Sequence, residues 1–497
     1  MNPHFFKIPP LTSYILFFIY GIYYIVGKFL GIFTNTLHYI EKFLINPTNW
    51  YLIGRFFIGV LPGTFTLYVI YLVAKKNFNE KIGLLSSIFL SFCFIHVLHS
   101  HYIYVDILLT LSILGVWNAC INLYKHPSIK NYILVGILVG ISTALKYNGL
   151  IAGVMVGVVS FLRRDKYHLL KLILSILVCG VCFLVLNPFC LLDFNFFKQE
   201  LISQAHAEGY LGWLYHFRFS IIEGVSLVGA ILGIGGIIFS CFGDRKNLGV
   251  LAFGVIYWIF LVFFSQPHER YVLPLVPFLC IGSAYIIEKI KLSPIKYLLI
   301  FLILVPNLIK SLWVDALALR KDTRLLCKEW IENNIPLGEK IALDDTFFCP
   351  RLFFTKTQLQ EKLEMASLPL QKKKIEILLK SRHYPSKNFH IFYLWDFKDT
   401  PPPFIFASPL IEFDLDILRK KGIKYVVIHK DVCGKKLPSF YERLNKEAEL
   451  IKTFSPYFDK NKECSQEKVV ETGLPFLSKE IFSRKRSGYP LWIYRIQ

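Results

Sequence analysis

Within eleven residues the chain places three imidazoles and a carboxylate, His96-Val-Leu-His-Ser-His-Tyr-Ile-Tyr-Val-Asp106, directly ahead of an apolar run. His99, His101 and Asp106 at this spacing can pass a proton, orient a hydroxyl or contribute to a metal site. An ionised carboxylate at the edge of hydrocarbon is costly unless it faces water, a partner or a substrate, which makes Asp106 a candidate site residue. The plainer alternative is a helix cap, with Asp106 accepting from the amides of the helix it opens. Two cations stand at comparable places. Lys146 lies in Ala144-Leu-Lys-Tyr-Asn-Gly149, and Arg270 in Pro267-His-Glu-Arg-Tyr-Val-Leu-Pro274, which also supplies His268 and Tyr271. The loop expected from 193 to 217 and its edge add His206, Glu208, Tyr210, Trp213, Tyr215, His216 and Arg218. Cations half in a membrane beside a carboxylate suit a substrate with an anionic head and an apolar tail. Arg270 and Lys146 would hold phosphate oxygens, and the carboxylate would serve as general base. For Arg270 the alternative is snorkelling toward lipid headgroups. The histidines leave a divalent metal possible, although no spacing among them is diagnostic.

The elements that position these residues follow from composition. The 497 residues are 54% hydrophobic and only 18% charged, with a mean hydropathy of +0.47. That is too apolar for a soluble protein, and apolar runs of spanning length recur along it. The net charge of +21 does not point to nucleic acid, because the basic residues cluster between apolar runs and in the tail and no recognition motif accompanies them. Neither a P-loop nor a Gly-x-Gly-x-x-Gly ahead of a helix is present, which argues against nucleoside triphosphate hydrolysis. Gly229, Gly233, Gly235 and Gly236 lie inside an apolar run, where small residues let helices approach. In the polar tail Cys327, Cys349, Cys433 and Cys464 fit no zinc spacing and leave a disulfide open.

The positive-inside rule gives the topology. The run from Tyr51 to Ala74 ends at Lys75-Lys76. Ile82 to Val97 crosses outward and delivers His99, His101 and Asp106, and Ile107 to Leu123 returns to Lys125 and Lys130. Asn131 to Leu162 reads as two short helices broken at Lys146 to Gly149, ending at Arg163-Arg164. Leu169 to Leu191, Ser220 to Phe242, Leu248 to Ser265, Tyr271 to Ile287 and Tyr297 to Val314 read as single helices that alternate in direction. Asp106, Arg270 and the tail then share the extracytoplasmic side. From about residue 315 the composition turns polar. Strands at Lys340 to Asp344, His390 to Trp395, Lys424 to His429 and Leu491 to Arg495 alternate with helices at Thr323 to Asn333, Leu415 to Lys421 and Leu437 to Phe454, which suggests an α/β domain. Gln371 to Lys374 and Pro401 to Pro403 read as loops. The fold class expected is a polytopic α-helical membrane protein with a C-terminal extracytoplasmic α/β domain.

In order and topology, Phe6-Lys-Ile-Pro-Pro-Leu11, Leu52-Ile-Gly-Arg55, Ser100-His-Tyr-Ile-Tyr-Val-Asp106, Ala144 to Gly149 and Arg270-Tyr-Val-Leu-Pro-Leu-Val-Pro277 resemble the multi-spanning GT-C glycosyltransferases. The likeness is to their family 39, the protein O-mannosyltransferase and aminoarabinose-transferase-like group. The resemblance implies sugar transfer from a polyprenyl-phosphate carrier to an acceptor on the outer face of the plasma membrane, the acceptor being a protein or a glycolipid, with no nucleic acid involved. It matches Asp106 to an acidic residue of the second outer loop, Lys7 to a phosphate-contacting lysine before Pro-Pro, and Arg270 to a basic residue near the carrier phosphate. It also puts residues 12–33 on the outer side as juxtamembrane helices. Three domains are then expected: 1–50 as part of a first outer loop, 51–314 as the membrane domain and 315–497 as the tail. Family members carry a further helix and an acidic first loop with the principal catalytic base ahead of this point, whereas the first acidic residue here is Glu41. The expectation is that this N-terminal part is missing.

On this reading Asp106 is the catalytic candidate, Lys7, Lys146 and Arg270 bind donor phosphate, and His99, His101, Tyr102, His206, Tyr210, His268 and Tyr271 are candidates for substrate contact. The competing readings are a transporter or flippase of lipid-linked sugars, a non-catalytic truncated homologue, or a structural partner whose tail binds another envelope protein. Transporters favour paired broken helices near the midplane, and the sequence shows one break, at Lys146 to Gly149.

Overall fold

The computed structural model describes residues 2–205, 212–264, 268–395, 410–429, 438–459, 462 and 474–496. The chain divides into two compact units, one of Met1–Val26 with Thr48–Ser311, the other of Gly27–Pro47 with Leu312–Gln497.

Among the described residues of the chain, seven helices are long and apolar enough to cross a membrane, or up to nine if each of two bent pairs is one span. The surface agrees with the lengths. On the helix His168–Leu186, Ile173, Ile176, Leu177, Val181 and Val185 are each more than half exposed. Such a face is costly in water and at home in lipid. The protein is a multi-pass membrane protein. Close packing uses small residues: a Cβ on Gly236 would sit 1.9 Å from the carbonyl oxygen of Gly282, so the helices Leu227–Gly243 and Val276–Lys289 meet backbone to backbone. Leu11–Phe29 is one continuous helix of 19 residues, long and apolar enough to span.

Two runs expected as single helices are sharply bent, and a third, Leu169 to Leu191, already ends at Leu186, with a short helix Phe189–Leu192 after it. The first, Ile82 to Val97, is Glu80–Phe92 and Phe94–Ser100, bent by 61° at Cys93. The second, Ser220 to Phe242, is interrupted at Ser226, whose φ of 87° is left-handed, and bends there by 101°. Neither break carries a proline, and each is held by side chains from other helices, so the apolar pattern alone had no signal for it. The stretch 193 to 217, expected as a loop, contains the helix Phe194–Ala205. The break after residue 145 is present: the helix Ile129–Leu145 gives way to a 3-10 turn over Tyr147–Ala152 and a second helix over Gly153–Leu162.

The second unit is built on a six-stranded sheet of β1 (Lys340–Leu343), β2 (His390–Trp395), β3 (Leu410–Glu412), β4 (Tyr425–His429), β5 (Ala448–Phe454) and β6 (Leu491–Ile496), in the order β3-β2-β1-β4-β6-β5. The first four are parallel, β6 runs antiparallel to β4, and β5 antiparallel to β6. Period-two alternation splits the core between two faces. Ile341, Leu343, Tyr425 and Val427 pack on one, and Ala342, Val426 and Ile428 on the other. Central β4 is buried at all five positions, which is why it reads so plainly in sequence.

Three local expectations in this unit are corrected. Leu437 to Phe454 is not one helix: Pro438–Glu447 is helical, and the chain then becomes β5, whose backbone groups are taken up along the free edge of β6. That tertiary pairing overrides the helical propensity of Glu and Lys. Gln371 to Lys374 lies not in a loop but inside the helix Pro369–Lys380, with proline at its first position. The helix Lys356–Met365 was not expected at all. Pro401 to Pro403 lie outside the described residues. Cys327 and Cys349 are free, buried thiols, and Cys433 and Cys464 lie outside the described residues. Glu41, the first acidic residue, is engaged within this unit, accepting from Ser381 Oγ at 2.5 Å and lying 3.0 Å from His383 Nδ1.

Candidate functional site

The sequence signature Lys146 to Gly149 acquires its meaning one residue at a time. Lys146 closes its helix in an extended conformation and donates to Asp106 Oδ1 at 2.7 Å. Tyr147 Oη donates to the carbonyl of Phe6 at 2.7 Å. Asn148 Nδ2 donates to Tyr257 Oη at 2.8 Å, and that hydroxyl donates to the carbonyl of Tyr271 at 3.1 Å. At Gly149 a Cβ would lie 2.2 Å from the carbonyl oxygen of Ser142, so only glycine closes the turn. One helix break thus fixes a lysine against a carboxylate and ties the N-terminal stretch and the Arg270 segment to it.

Asp106 stands in the first turn of the helix Val105–Lys125, and no side chain caps that helix. Its oxygens turn instead to cations, Oδ1 to Lys146 and Oδ2 to Arg270 Nε at 3.6 Å. The helix-cap alternative is therefore not what the structure contains. Arg270 does not snorkel either. Its side chain is 13% exposed, with Cζ 4.5 Å from the ring centroid of Tyr104 and 5.4 Å from that of Tyr271. Lys146 Nζ sits 3.9 Å from the centroid of the same Tyr271 ring. These aromatic faces hold both cations in place. Two largely buried cations converge on the Asp106 carboxylate, with the buried carboxylate of Glu269 beside Arg270 as well, an arrangement able to receive an anion without first gathering its ligands.

The histidines diverge. His96 turns inward, its Nε2 3.2 Å from the carbonyl oxygen of Gly63. His99 is fully buried, with Nε2 3.9 Å from Glu269 Oε1, beyond hydrogen-bond length, and with the rings of Tyr102 and Tyr104 within 6.4 Å. His101 is exposed. Among the described residues no three His, Cys, Asp or Glu side chains gather as a metal site would require. Tyr102 is buried beside His99, while His268 packs edge-on against Tyr271 at 5.2 Å. Lys7 is exposed, next to Phe6, whose buried ring packs against Phe196 and Phe197 and whose amide donates to Glu200 Oε2 at 3.2 Å. His206 and Tyr210 lie outside the described residues. Sequence reasoning passed over Tyr104, Asn148, Tyr257 and Glu269. Tyr104 and Glu269 stood in the quoted motifs beside chosen residues, whereas Tyr257, inside an apolar helix, gave no signal.

An apolar cavity of about 470 Å³ is lined among others by Phe217, Ile221, Phe253, Trp258, Leu275 and Leu279, and by none of Asp106, Lys146 and Arg270. Leu275 ends the 3-10 turn Glu269–Leu275 that carries Arg270, so charged cluster and cavity share one short element.

Comparison with known proteins follows the same residues. Residues 50–191 match the family model described as dolichyl-phosphate-mannose-protein mannosyltransferase. An undecaprenyl phosphate-alpha-4-amino-4-deoxy-L-arabinose arabinosyl transferase of Wigglesworthia glossinidia brevipalpis is 27% identical over 300 residues, 53% of this chain and 52% of the relative. The chain thus matches about half the length of that curated relative. The crystal structure of ArnT from Cupriavidus metallidurans in the apo state aligns with a TM-score of 0.51 at 13% identity, covering 90% of this chain and 86% of that one. At such identity the likeness is one of fold.

Proposed function

We propose that this chain, which belongs to the GT-C-fold glycosyltransferases that use polyprenyl-phosphate sugars, transfers a sugar from such a carrier to an acceptor hydroxyl at the extracytoplasmic face of a cell membrane. The observation that carries the reading is the cluster of Lys146, Asp106 and Arg270, joined through the turn Glu269–Leu275 to an apolar cavity that Leu275 helps line. A polyprenyl-phosphate sugar has those two halves, a phosphate between a sugar and a long isoprenoid chain. The family model and the relative are named for dolichyl and undecaprenyl phosphates respectively, with mannose in one name and an aminoarabinose in the other. The lipid phosphate is what the names share, and the sugar stays open between them.

In the transfer the bond from the anomeric carbon to the phosphate oxygen breaks, the acceptor oxygen bonds to that carbon, and the acceptor proton leaves. Lys146 and Arg270 stabilise the charge that develops on the departing phosphate, with Lys7 a further donor from the stretch that Tyr147 holds. Asp106 keeps the two cations converged. When a cation moves onto the phosphate, the carboxylate oxygen it leaves becomes available to orient the acceptor hydroxyl or take its proton. His99, His101, Tyr102, His268 and Tyr271 are, on this reading, the candidates for sugar and acceptor contact. On this reading the isoprenoid chain occupies the apolar cavity that Leu275 helps line. Residues 11–29 and 36–45 belong, on this reading, to the outer boundary of the membrane, and the second unit to the extracytoplasmic side. The acceptor is a protein or a glycolipid.

The test is incubation of the chain in lipid vesicles with polyprenyl-phosphate sugars, following release of the free polyprenyl phosphate. A transporter of lipid-linked sugars is the second reading, because the bends at Cys93 and Ser226 are of the kind found in transporters. It predicts movement of intact donor across the bilayer with no phosphate released.

A further inference from the structure

The two bent spans meet at their breaks, and one helix closes both. In Ser293–Ala318, Asn307 and Lys310 lie three residues apart on one face. Asn307 Oδ1 accepts from the amide of Phe94, the first residue after the bend at Cys93, at 3.2 Å, and its Nδ2 donates to the carbonyl of Val225 at 3.0 Å, just before the bend at Ser226. Lys310 Nζ donates to the carbonyl of Glu223 at 2.7 Å and to its Oε2 at 2.6 Å. The thiol of Cys93 completes the contact, donating to the carbonyl of Gly224 at 3.3 Å. Each of these backbone groups is one that a broken helix leaves without an intrahelical partner, and lipid offers none. Unwinding alone does not require a charge, however. A buried amide would serve for the carbonyls, yet the chain places a lysine and a glutamate there, and ionisable groups inside membrane segments are retained where they serve function.

We infer that Asn307, Lys310 and Glu223 form a latch that sets the position of the phosphate-binding cluster, as positioning residues that do not touch the substrate. The inference rests on the proposed transfer reaction. Its physical path is short. One arm of the latch is the helix Phe94–Ser100, which leads through His99 to Asp106. The other is the segment 216–225, which packs against the turn Glu269–Leu275 that bears Arg270. The latch therefore governs the placement of both members of the 3.6 Å Asp106 to Arg270 pair, whereas Lys146 is held from a different side by Asn148 and Gly149. Loosening the latch should shift Arg270 against Asp106 and leave the Lys146 contact in place.

The test uses the full chain in nanodiscs, with Lys310→Met, Lys310→Arg and Asn307→Ala. Amide hydrogen exchange and the rate of polyprenyl phosphate release with varied donor are both read. Lys310→Met and Asn307→Ala are expected to speed exchange in residues 94–106 and 216–225 but not in 129–145. Turnover should fall by roughly ten- to a hundredfold with donor KM changed less than threefold, since a displacement of about 1 Å at a reacting site costs on the order of a hundredfold. Lys310→Arg keeps the charge and the donors and should restore both readouts. Wild-type exchange and turnover in Lys310→Met would overturn the inference, and so would exchange raised uniformly over all spans with turnover following the folded fraction. If the wild-type chain releases no polyprenyl phosphate from any donor, the transfer reading fails, and the exchange measurement still decides whether the latch exists.

Discussion

Replacing Asp106 by Asn separates the possible roles of this residue. Asn has nearly the same shape, and as a helix cap it would be neutral within a few tenths of a kcal/mol. The structure gives a different result, because Asp106 is the shared anion of Lys146 at 2.7 Å and Arg270 at 3.6 Å. Removing one partner of a buried ion pair costs about 3–5 kcal/mol. The Asn carbonyl can still accept from Lys146, so the lower end, on the order of 3 kcal/mol, is the expectation. Turnover should fall by about a hundred- to ten-thousandfold, the range for a lost general base. Binding of polyprenyl phosphate should be kept or tightened, because both cations are then released to the phosphate. The assay combines thermal unfolding in detergent, binding of labelled polyprenyl phosphate and release of the phosphate from a donor sugar. Full turnover with an unchanged unfolding midpoint would refute the anchoring role. Binding lost together with turnover would show that Asp106 supports the phosphate site rather than competing with the phosphate for its cations.

Arg270→Ala should weaken binding of polyprenyl phosphate by tenfold or more, and Arg270→Lys should recover only part of it, since the planar fork is lost; equal affinity in all three would remove Arg270 from the phosphate site. Gly254 lines the apolar cavity and has open space where a Cβ would stand, so Gly254→Leu should fold normally, raise KM several-fold for a long-chain donor and leave a short-chain donor unaffected. In the second unit, the hydrogen bond from Ser381 and the neighbouring His383 hold the Glu41 carboxyl below its usual 4.5. A lowered folded value adds stability above pH about 4.5 that is lost as pH falls through the lowered value. The stability difference between wild type and Glu41→Gln, followed by denaturation between pH 7 and pH 3, should therefore shrink only toward the acid end. For orientation, a C-terminal alkaline phosphatase fusion should be active; an inactive one beside an active cytoplasmic reporter would contradict the extracytoplasmic tail.

What the sequence made legible follows from the kind of signal each element carries. Spanning helices announce themselves by length and composition, and β4 by the apolar run Tyr425 to Ile428 closed by a buried His429. The helix break at Lys146 was readable because lysine and glycine interrupt an apolar run. The bends at Cys93 and Ser226 were not, because the residues that hold them, Asn307 and Lys310, lie more than 80 positions farther along. The same holds for the edge strand β5, which exists only where β6 is present to pair with it. At the site, charge was the readable part. Asp106, Lys146 and Arg270 stood out because ions are rare in such a chain, and the structure brings the three together. Their aromatic supports were only half readable: Tyr271 stood out beside Arg270, whereas Tyr104 is one among 27 tyrosines and was passed over.

The central claim is that Lys146 and Arg270 receive the phosphate of a lipid carrier whose sugar is then transferred. It is tested most directly by measuring free polyprenyl phosphate released from polyprenyl-phosphate sugars by the chain in vesicles, for wild type and for the Lys146→Ala/Arg270→Ala double variant. The account predicts acceptor-dependent release by wild type and at least a hundredfold less by the double variant at equal folded protein, from a loss of about 3 kcal/mol of transition-state stabilisation. Equal release by the two proteins, or transport of intact donor with no release by either, would contradict it.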